Sequence, residues 1–210
     1  MSNKDKLMTQ ETALVGRSEK MPITEQHFIN QTDLTAEKPN GYQQVFLGLG
    51  CFWGAERVFW QLEGVISTSV GYSGGYTPNP TYQEVCSGQT GHAEVVRVIF
   101  DPSKITLNQI LTVFWERHDP TQGMRQGNDI GTQYRSIILV ENLQDQAVAI
   151  ASKDRYQQAL EHANKLSITT EISVIQDYYL AETYHQQYLA KNPQGYCGIG
   201  GTGVCFPPQK

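Results

Sequence analysis

Apolar residues recur along residues 44–194 with two different periods, and each period predicts one type of element. Runs that are continuously apolar or alternate with period 2 predict strands that begin near residue 44 and cover residues 65–72, 94–100, 136–140 and 168–175. Apolar positions spaced three and four residues apart predict helices over residues 51–62 and 106–117, within 143–165 and near 180–191. Two strands follow the first helix in succession. We therefore predict an α+β fold: a two-layer sandwich of a mixed sheet with packed helices and a ferredoxin-like core.

The same pattern divides the chain into three regions. Residues 1–43 are polar, lack a sustained period and end at a turn-forming cluster, Lys-Pro-Asn-Gly, at residues 38–41. We interpret them as an N-terminal extension that wraps around the core or stays partly disordered. Residues 44–194 carry the predicted strands and helices and form the main domain. Residues 195–210 form an irregular C-terminal tail with five glycines between residues 195 and 204, too many for a stable helix.

The composition is that of a soluble globular protein, with 39% hydrophobic and 18% charged residues in a chain of 210. A net charge of −5 and an isoelectric point near 5.5 argue against a nucleic-acid partner. No apolar stretch reaches the roughly 18 residues of a membrane span, and no signal-peptide pattern opens the chain. We expect a cytoplasmic protein that does not bind membranes.

The chain contains four cysteines, at positions 51, 86, 197 and 205. They form no C-x-x-C pair and no zinc-ligand spacing with histidine, so we expect no metal site. In a reducing compartment, a disulfide is usually transient and catalytic. Cys86 is interpreted as a small buried hydrophobic residue.

Cys51 stands where an apolar strand pattern gives way to a helical one. At a helix N-terminus, unpaired backbone N–H groups and the positive end of the helix dipole favour thiolate over thiol. Gly48 and Gly50 allow a sharp turn before it. Two more thiols, Cys197 and Cys205, lie in the glycine-rich tail, which could carry them to a fixed partner. This combination indicates thiol redox catalysis.

Glu94 begins a predicted strand and shares one face with the apolar residues Val96, Val98 and Phe100. If that face is buried, desolvation raises the pKa of the carboxyl group, and a carboxylic acid protonated near neutral pH can donate a proton. The alternative is a solvated glutamate at the end of a strand.

Several other residues have both a functional and a structural interpretation. Phe52 falls on the apolar stripe of the first helix, whereas Trp53 lies off it and either contacts a substrate or packs at the surface. Tyr82 and Tyr134 either donate hydrogen bonds to a polar oxygen or pack with solvated hydroxyl groups. Asp129 lies in a glycine-bounded loop, where a turn-forming role is the simpler interpretation.

Glu182 and His185 fall in the last predicted helix. Their residue types suit either a supporting position beside a site or a structural position. The sequence leaves both interpretations open.

Four separated motifs resemble those of the peptide methionine sulfoxide reductase A family. They are residues 50–56 (GCFWGAE), 90–95 (TGHAEV), 131–136 (GTQYRS) and 195–205 (GYCGIGGTGVC). The tail motif is similar to that of the branch with two recycling cysteines. The resemblance covers residues 44 to the C-terminus and makes residues 44–194 the catalytic domain and residues 195–210 a redox tail.

The resemblance implies a chemical step at Cys51. The Cys51 thiolate would attack the sulfoxide sulfur, while Glu94, helped by Tyr82 and Tyr134, protonates the oxygen. Asp129 would belong to the same site. Methionine would leave, and the cysteine would become a sulfenic acid, a reversible oxidation state.

The resemblance also implies substrate contacts and a recycling pathway. Phe52 and Trp53 would form the pocket for the substrate methyl group. Cys197 would attack the sulfenic acid to give a Cys51–Cys197 disulfide, and Cys205 would convert it to Cys197–Cys205 for reduction by thioredoxin. The implied protein is a monomer that acts on the S epimer of methionine sulfoxide, free or in oxidised proteins, and repairs proteins after oxidative stress. It needs no metal or organic cofactor.

Two other functions use similar residues. A thiol peroxidase also forms a sulfenic acid and a disulfide, but it needs a polar peroxide site, whereas Phe52 and Trp53 beside Cys51 favour an apolar substrate group. A redox-sensing module would form the Cys197–Cys205 bond without catalytic turnover. Neither explains Glu94 on an apolar strand face.

Overall fold

The structure of the chain, a computed structural model, describes residues 6–208. The first five residues of the predicted N-terminal extension and the last two of the predicted tail lie outside the described residues. The strands are β1 (Gln43–Gly48), β2 (Val65–Ser73), β3 (Ala93–Phe100), β4 (Arg125–Gln126), β5 (Asp129–Ile130), β6 (Ile137–Val140), β7 (Glu171–Val174) and β8 (Tyr178–Leu180). The helices are α1 (Phe52–Trp60), α2 (Tyr82–Cys86), α3 (Leu107–Glu116), α4 (Leu143–His162) and α5 (Tyr188–Lys191).

Six strands form one sheet in the order β7-β6-β1-β3-β2-β8, and β4 and β5 pair as a separate hairpin. β6 and β7 are parallel, and the other neighbours in the large sheet are antiparallel. The sheet is therefore mixed, and the predicted α+β class is confirmed. The ferredoxin-like core stays a prediction, and the outer strands β7 and β8 widen the sheet.

The larger core lies between one face of the sheet and helices α1, α3 and α4. Val96, Val98 and Phe100 of β3 point into it, as the alternation along this strand predicts. A smaller cluster, which includes Phe46 and Val95, occupies the opposite face. Helices thus cover one face of the sheet, and α1 and β3 meet inside the larger core.

The predicted helix near residues 180–191 is wrong. Residues 178–180 instead form β8, which pairs with residues 71–73 of β2. A 3-10 turn then covers Thr183–His185, and α5 starts only at Tyr188, after Gln187 with a φ of +47°. Pairing with the free edge of β2 satisfies the backbone there, and the left-handed residue interrupts the helical path.

The N-terminal extension packs against the core along much of its described length. Arg17 forms a 2.6 Å ion pair with Glu84 of α2. Further along, His27 Nε2 lies 3.1 Å from Thr68 Oγ1 of β2, and Leu34 is buried. The extension therefore wraps around the sheet, one of its two sequence-based interpretations.

Candidate active site

Cys51 lies at the junction of β1 and α1. Gly50 has a φ of +100°, a conformation that favours glycine, and lets the chain turn from the strand into the helix. Cys51 is the N-cap residue and is half-buried. The next residue, Phe52, donates its backbone N–H to Glu94 Oε2 at 3.0 Å. The candidate nucleophile and the candidate acid therefore come together from α1 and β3.

Glu94 is 1% exposed, which confirms that its strand face is buried. Burial raises the pKa of the Glu94 carboxyl group to about 8; the Phe52 N–H opposes this shift, and the charge of Asp129 adds to it. The acid is therefore largely protonated near neutral pH. It can donate a proton to a substrate oxygen, as a solvated glutamate cannot.

In the free site Cys51 favours the thiol form, not the thiolate that its position at a helix N-terminus predicts. Burial raises the pKa of the Cys51 thiol, and the negative charges of Glu94 and Asp129 raise it further. The backbone N–H groups of Trp53 and Gly54 act in the opposite direction, but the loss of hydration outweighs them. Cys51 is therefore a neutral thiol in the free site, and it must lose its proton during the reaction.

Tyr82 and Tyr134 surround the same carboxyl group. Tyr82 begins α2, a helix that the sequence pattern did not predict, and Tyr134 ends a 3-10 turn. Burial raises the pKa of each phenol, and the nearby charge of Glu94 raises it further. Both tyrosines therefore keep their protons and can act as hydrogen-bond donors.

Asp129 lies on β5 of the small hairpin, close enough to Cys51 and Glu94 to influence the pKa of both. Its own pKa is raised by burial, and its Oδ2 accepts a 3.2 Å hydrogen bond from the Tyr196 hydroxyl group of the tail. Asp129 therefore borders the site as well as belonging to a tight hairpin.

Aromatic rings form a wall beside Cys51. Trp53 stacks on Tyr188 at 3.9 Å between ring centroids, and its Nε1 donates to His185 Nδ1 at 2.9 Å. The His185 ring lies 5.1 Å from Phe52 and 4.5 Å from Tyr82. Phe52 is 1% exposed within the core, as its periodicity predicts, whereas Trp53 is half-buried at the edge of the wall.

The glycine-rich tail lies against α1. Cys197 Sγ accepts a 2.9 Å hydrogen bond from Arg57 Nη2, and a Cβ atom at position 54 would lie 3.1 Å from this sulfur. Cys205 is exposed, and all four cysteines are free thiols. Cys86 is half-buried and interacts with the Tyr82 hydroxyl group, so it is more than a small buried hydrophobic residue.

Comparison with known proteins identifies the family. The model of the peptide methionine sulfoxide reductase family matches residues 43–202. The chain belongs to the peptide methionine sulfoxide reductase A family. It is 65% identical to the peptide methionine sulfoxide reductase MsrA of Vibrio parahaemolyticus, across 99% of this chain and 98% of that protein. The chain is thus an oxidoreductase of the methionine sulfoxide reductase type.

Solved structures of MsrA-type proteins support the assignment. Methionine sulfoxide reductase A of Corynebacterium diphtheriae has a TM-score of 0.87 and is 42% identical, covering 97% of this chain and 100% of its own. Reduced Mxr1 of Saccharomyces cerevisiae has a TM-score of 0.72 and is 36% identical, covering 79% of this chain and 94% of its own.

The sequence did not assign a role in the site to Glu182, His185 or Tyr188. The Glu182 carboxylate accepts hydrogen bonds from the Tyr82 N–H at 2.8 Å and the Tyr72 hydroxyl group at 2.9 Å. His185 is 1% exposed, and Tyr188 supports the indole of Trp53. The long-range pairing of β8 with β2 brings this segment to the site, and no local periodicity signals it.

The described part of the chain bears on two further features, a metal site and a membrane-spanning helix. Across residues 6–208, no group of three or more histidine, cysteine, aspartate or glutamate side chains could hold a metal ion. Over the same residues, no helix combines the length and apolar character needed to cross a bilayer.

Proposed function

We propose that this reductase converts the S epimer of methionine sulfoxide, free or in oxidised proteins, to methionine at Cys51. The observation that carries the proposal is the 3.0 Å hydrogen bond between the Phe52 N–H and Glu94 Oε2. It holds a buried, protonated acid next to the residue that bears the thiol. A thiol beside a proton donor suits a substrate whose oxygen must be protonated as its sulfur is attacked.

In the chemical step, Cys51 Sγ attacks the sulfoxide sulfur, the sulfur–oxygen bond of the substrate breaks, and the oxygen ends bonded to Cys51 Sγ. The substrate sulfur is thereby reduced by two electrons, and the cysteine sulfur is oxidised by two. Glu94 protonates the oxygen as it leaves the substrate sulfur, and the thiol proton of Cys51 replaces the proton that Glu94 gives up. The net products are methionine and a cysteine sulfenic acid. Tyr82 and Tyr134 donate hydrogen bonds to the same oxygen, and Asp129 borders the site.

The apolar end of the substrate packs against the aromatic wall. Trp53 is half-buried and held in place by Tyr188 and His185, so its indole is available to a methyl group. Phe52 contributes from the core side of the pocket. A rigid aromatic surface favours one arrangement of methyl group and oxygen around sulfur, which supports discrimination between epimers.

The tail cysteines regenerate Cys51. The Cys197 thiolate attacks the sulfenic sulfur, a disulfide forms, and the hydroxide that leaves takes up a proton to become water. Cys205 then attacks Cys197, which releases Cys51 and leaves a Cys197–Cys205 disulfide. The position of Cys197 over the first turn of α1 and the exposure of Cys205 support this order. Thioredoxin reduces the final disulfide, and no metal or organic cofactor takes part.

A single-turnover assay on separated epimers tests the function. Wild-type enzyme without reductant should form methionine from the S-sulfoxide of a peptide and none from the R-sulfoxide. Cys51→Ser should form none from either, whereas the matched control Cys205→Ser, which removes an exposed thiol that acts only after the first turnover, should still form methionine once. Equal activity on both epimers would refute the stereochemical assignment, and methionine formation by Cys51→Ser would refute the role of this thiol.

A further inference from the structure

Cys197 is the acceptor of one charged hydrogen bond. Arg57 Nη2 lies 2.9 Å from Cys197 Sγ, and the guanidinium can only donate. Among residues 6–208, this arginine forms no ion pair with a carboxylate. Its positive charge is therefore directed at the sulfur and is not neutralised by a neighbour.

A second contact places Cys197 over the first turn of α1, which follows Cys51. Arg57 and Gly54 lie one turn apart on α1, and Gly54 is three residues after Cys51. A Cβ atom at position 54 would lie 3.1 Å from Cys197 Sγ and 2.7 Å from Ile199 Cγ1. The tail thus rests on the bare backbone of the first helical turn, and Arg57 holds its sulfur at the end of α1 that carries the nucleophile.

We propose that Arg57 positions and activates Cys197 for attack on the oxidised Cys51. The inference rests on the disulfide relay of the proposed function and adds a residue to its second step. The attacking species is a thiolate, and a guanidinium stabilises it through a charge-assisted hydrogen bond. A disulfide must also form within a narrow range of distances, so a tail that holds its sulfur in place reacts faster than a freely moving one.

The reaction that Arg57 assists forms a disulfide and releases water. Cys197 Sγ bonds to Cys51 Sγ, the S–O bond of the sulfenic acid breaks, and water leaves with the thiol proton of Cys197. Once the disulfide has formed, Cys197 carries no negative charge, and its attraction to Arg57 weakens. The weaker attraction frees Cys197 from Arg57, so that Cys205 of the same tail can reach the disulfide and exchange with it.

A matched control residue lies in the same cleft. Arg57 and Arg117 both line an open cleft of about 400 Å³ between α1 and α3, and Cys197 forms part of its wall. Arg117 is exposed and does not donate a hydrogen bond to the sulfur. Replacing either arginine removes one positive charge, but only the first replacement removes the contact.

The test separates the two half-reactions in one rapid-quench experiment without reductant. One equivalent of an S-sulfoxide peptide is added, methionine is quantified, and the Cys51–Cys197 disulfide is followed by alkylation and mass spectrometry. In Arg57→Met, disulfide formation should slow by roughly tenfold or more, the effect of one charge-assisted hydrogen bond, while methionine forms at the wild-type rate. Arg57→Lys should recover part of the loss, and Arg117→Met should behave as wild type.

The other outcomes distinguish a failure of the Arg57 role from a failure of the proposed function. A wild-type rate of disulfide formation in Arg57→Met overturns the inference and leaves the proposed function intact, since methionine still forms. If the wild-type enzyme itself forms no methionine, the proposed function fails. Should Arg57→Met lose the first turnover through misfolding, Arg57→Gln takes its place. A wild-type disulfide rate in that variant overturns the inference equally.

Discussion

The Phe52 backbone N–H donates a 3.0 Å hydrogen bond to Glu94 Oε2, and this bond joins the start of α1 to the start of β3. It ties the carboxyl group to the residue that follows the thiol, so a shift of one element moves the other. Because Glu94 is buried, its pKa is raised to about 8, and the acid stays protonated next to the residue that bears the thiol. The burial that packs Glu94 against the start of α1 therefore also keeps its carboxyl group protonated.

Replacing Cys197 separates the first turnover from recycling. We expect Cys197→Ser to form one methionine per enzyme and then stop, because the sulfenic acid on Cys51 has lost its resolving thiol. Methionine yield with excess thioredoxin, thioredoxin reductase and NADPH measures this. Multiple turnovers at the wild-type rate would show that recycling does not pass through Cys197.

Gly54→Ala should displace the tail. The new Cβ atom would lie 2.7 Å from Ile199 Cγ1, and overpacking of this kind costs about 1–3 kcal/mol. We expect faster alkylation of Cys197 and slower formation of its disulfide with Cys51. The control is Gly200→Ala, since no atom lies within 4 Å of a Cβ there. Equal alkylation rates in the two variants would show that the tail does not rest on α1.

Glu94→Gln should change how stability depends on pH. In the folded protein the pKa of Glu94 is about 8 instead of 4.5, so the native state keeps a proton that the unfolded chain loses as the pH rises. This difference lowers the free energy of unfolding by at most about 1.4 kcal/mol per pH unit between those two values. Glutamine does not ionise, and the variant should lose this slope.

Urea unfolding at several pH values measures the effect. Burial also raises the pKa of Glu56, to about 7, so part of the slope should remain in Glu94→Gln. The exposed Glu63→Gln is the control and should keep the full wild-type slope. A Glu94→Gln curve parallel to that of the control would mean that Glu94 is ionised in the folded protein.

Local patterns predicted the parts of the site that depend on local structure. The alternation along β3 placed Glu94 on a buried face, and the change from strand to helix placed Cys51 at the start of α1. The first conclusion follows from side-chain direction along one strand, and the second from the change of apolar period between two adjoining elements. The α+β class followed from the order of the elements in the same way.

Long-range contacts account for what the sequence did not predict. His185 reaches the site because β8 pairs with β2, and Arg57 meets Cys197 across 140 residues of sequence. The protonation state of Cys51 depends on two opposing effects. The helix N-terminus favours the thiolate, as predicted, but the depth of burial is a property of the folded chain and has the larger effect on the pKa.

The single-turnover rate of Glu94→Gln on an S-sulfoxide peptide tests the central claim most directly. Glutamine keeps an oxygen for the Phe52 N–H but has no acidic proton, so the rate of methionine formation should fall by roughly 10²–10⁴, the range for a general acid. In the wild type, the contribution of Glu94 should disappear as the pH rises through about 8. A Glu94→Gln rate equal to that of wild type at neutral pH would contradict the account.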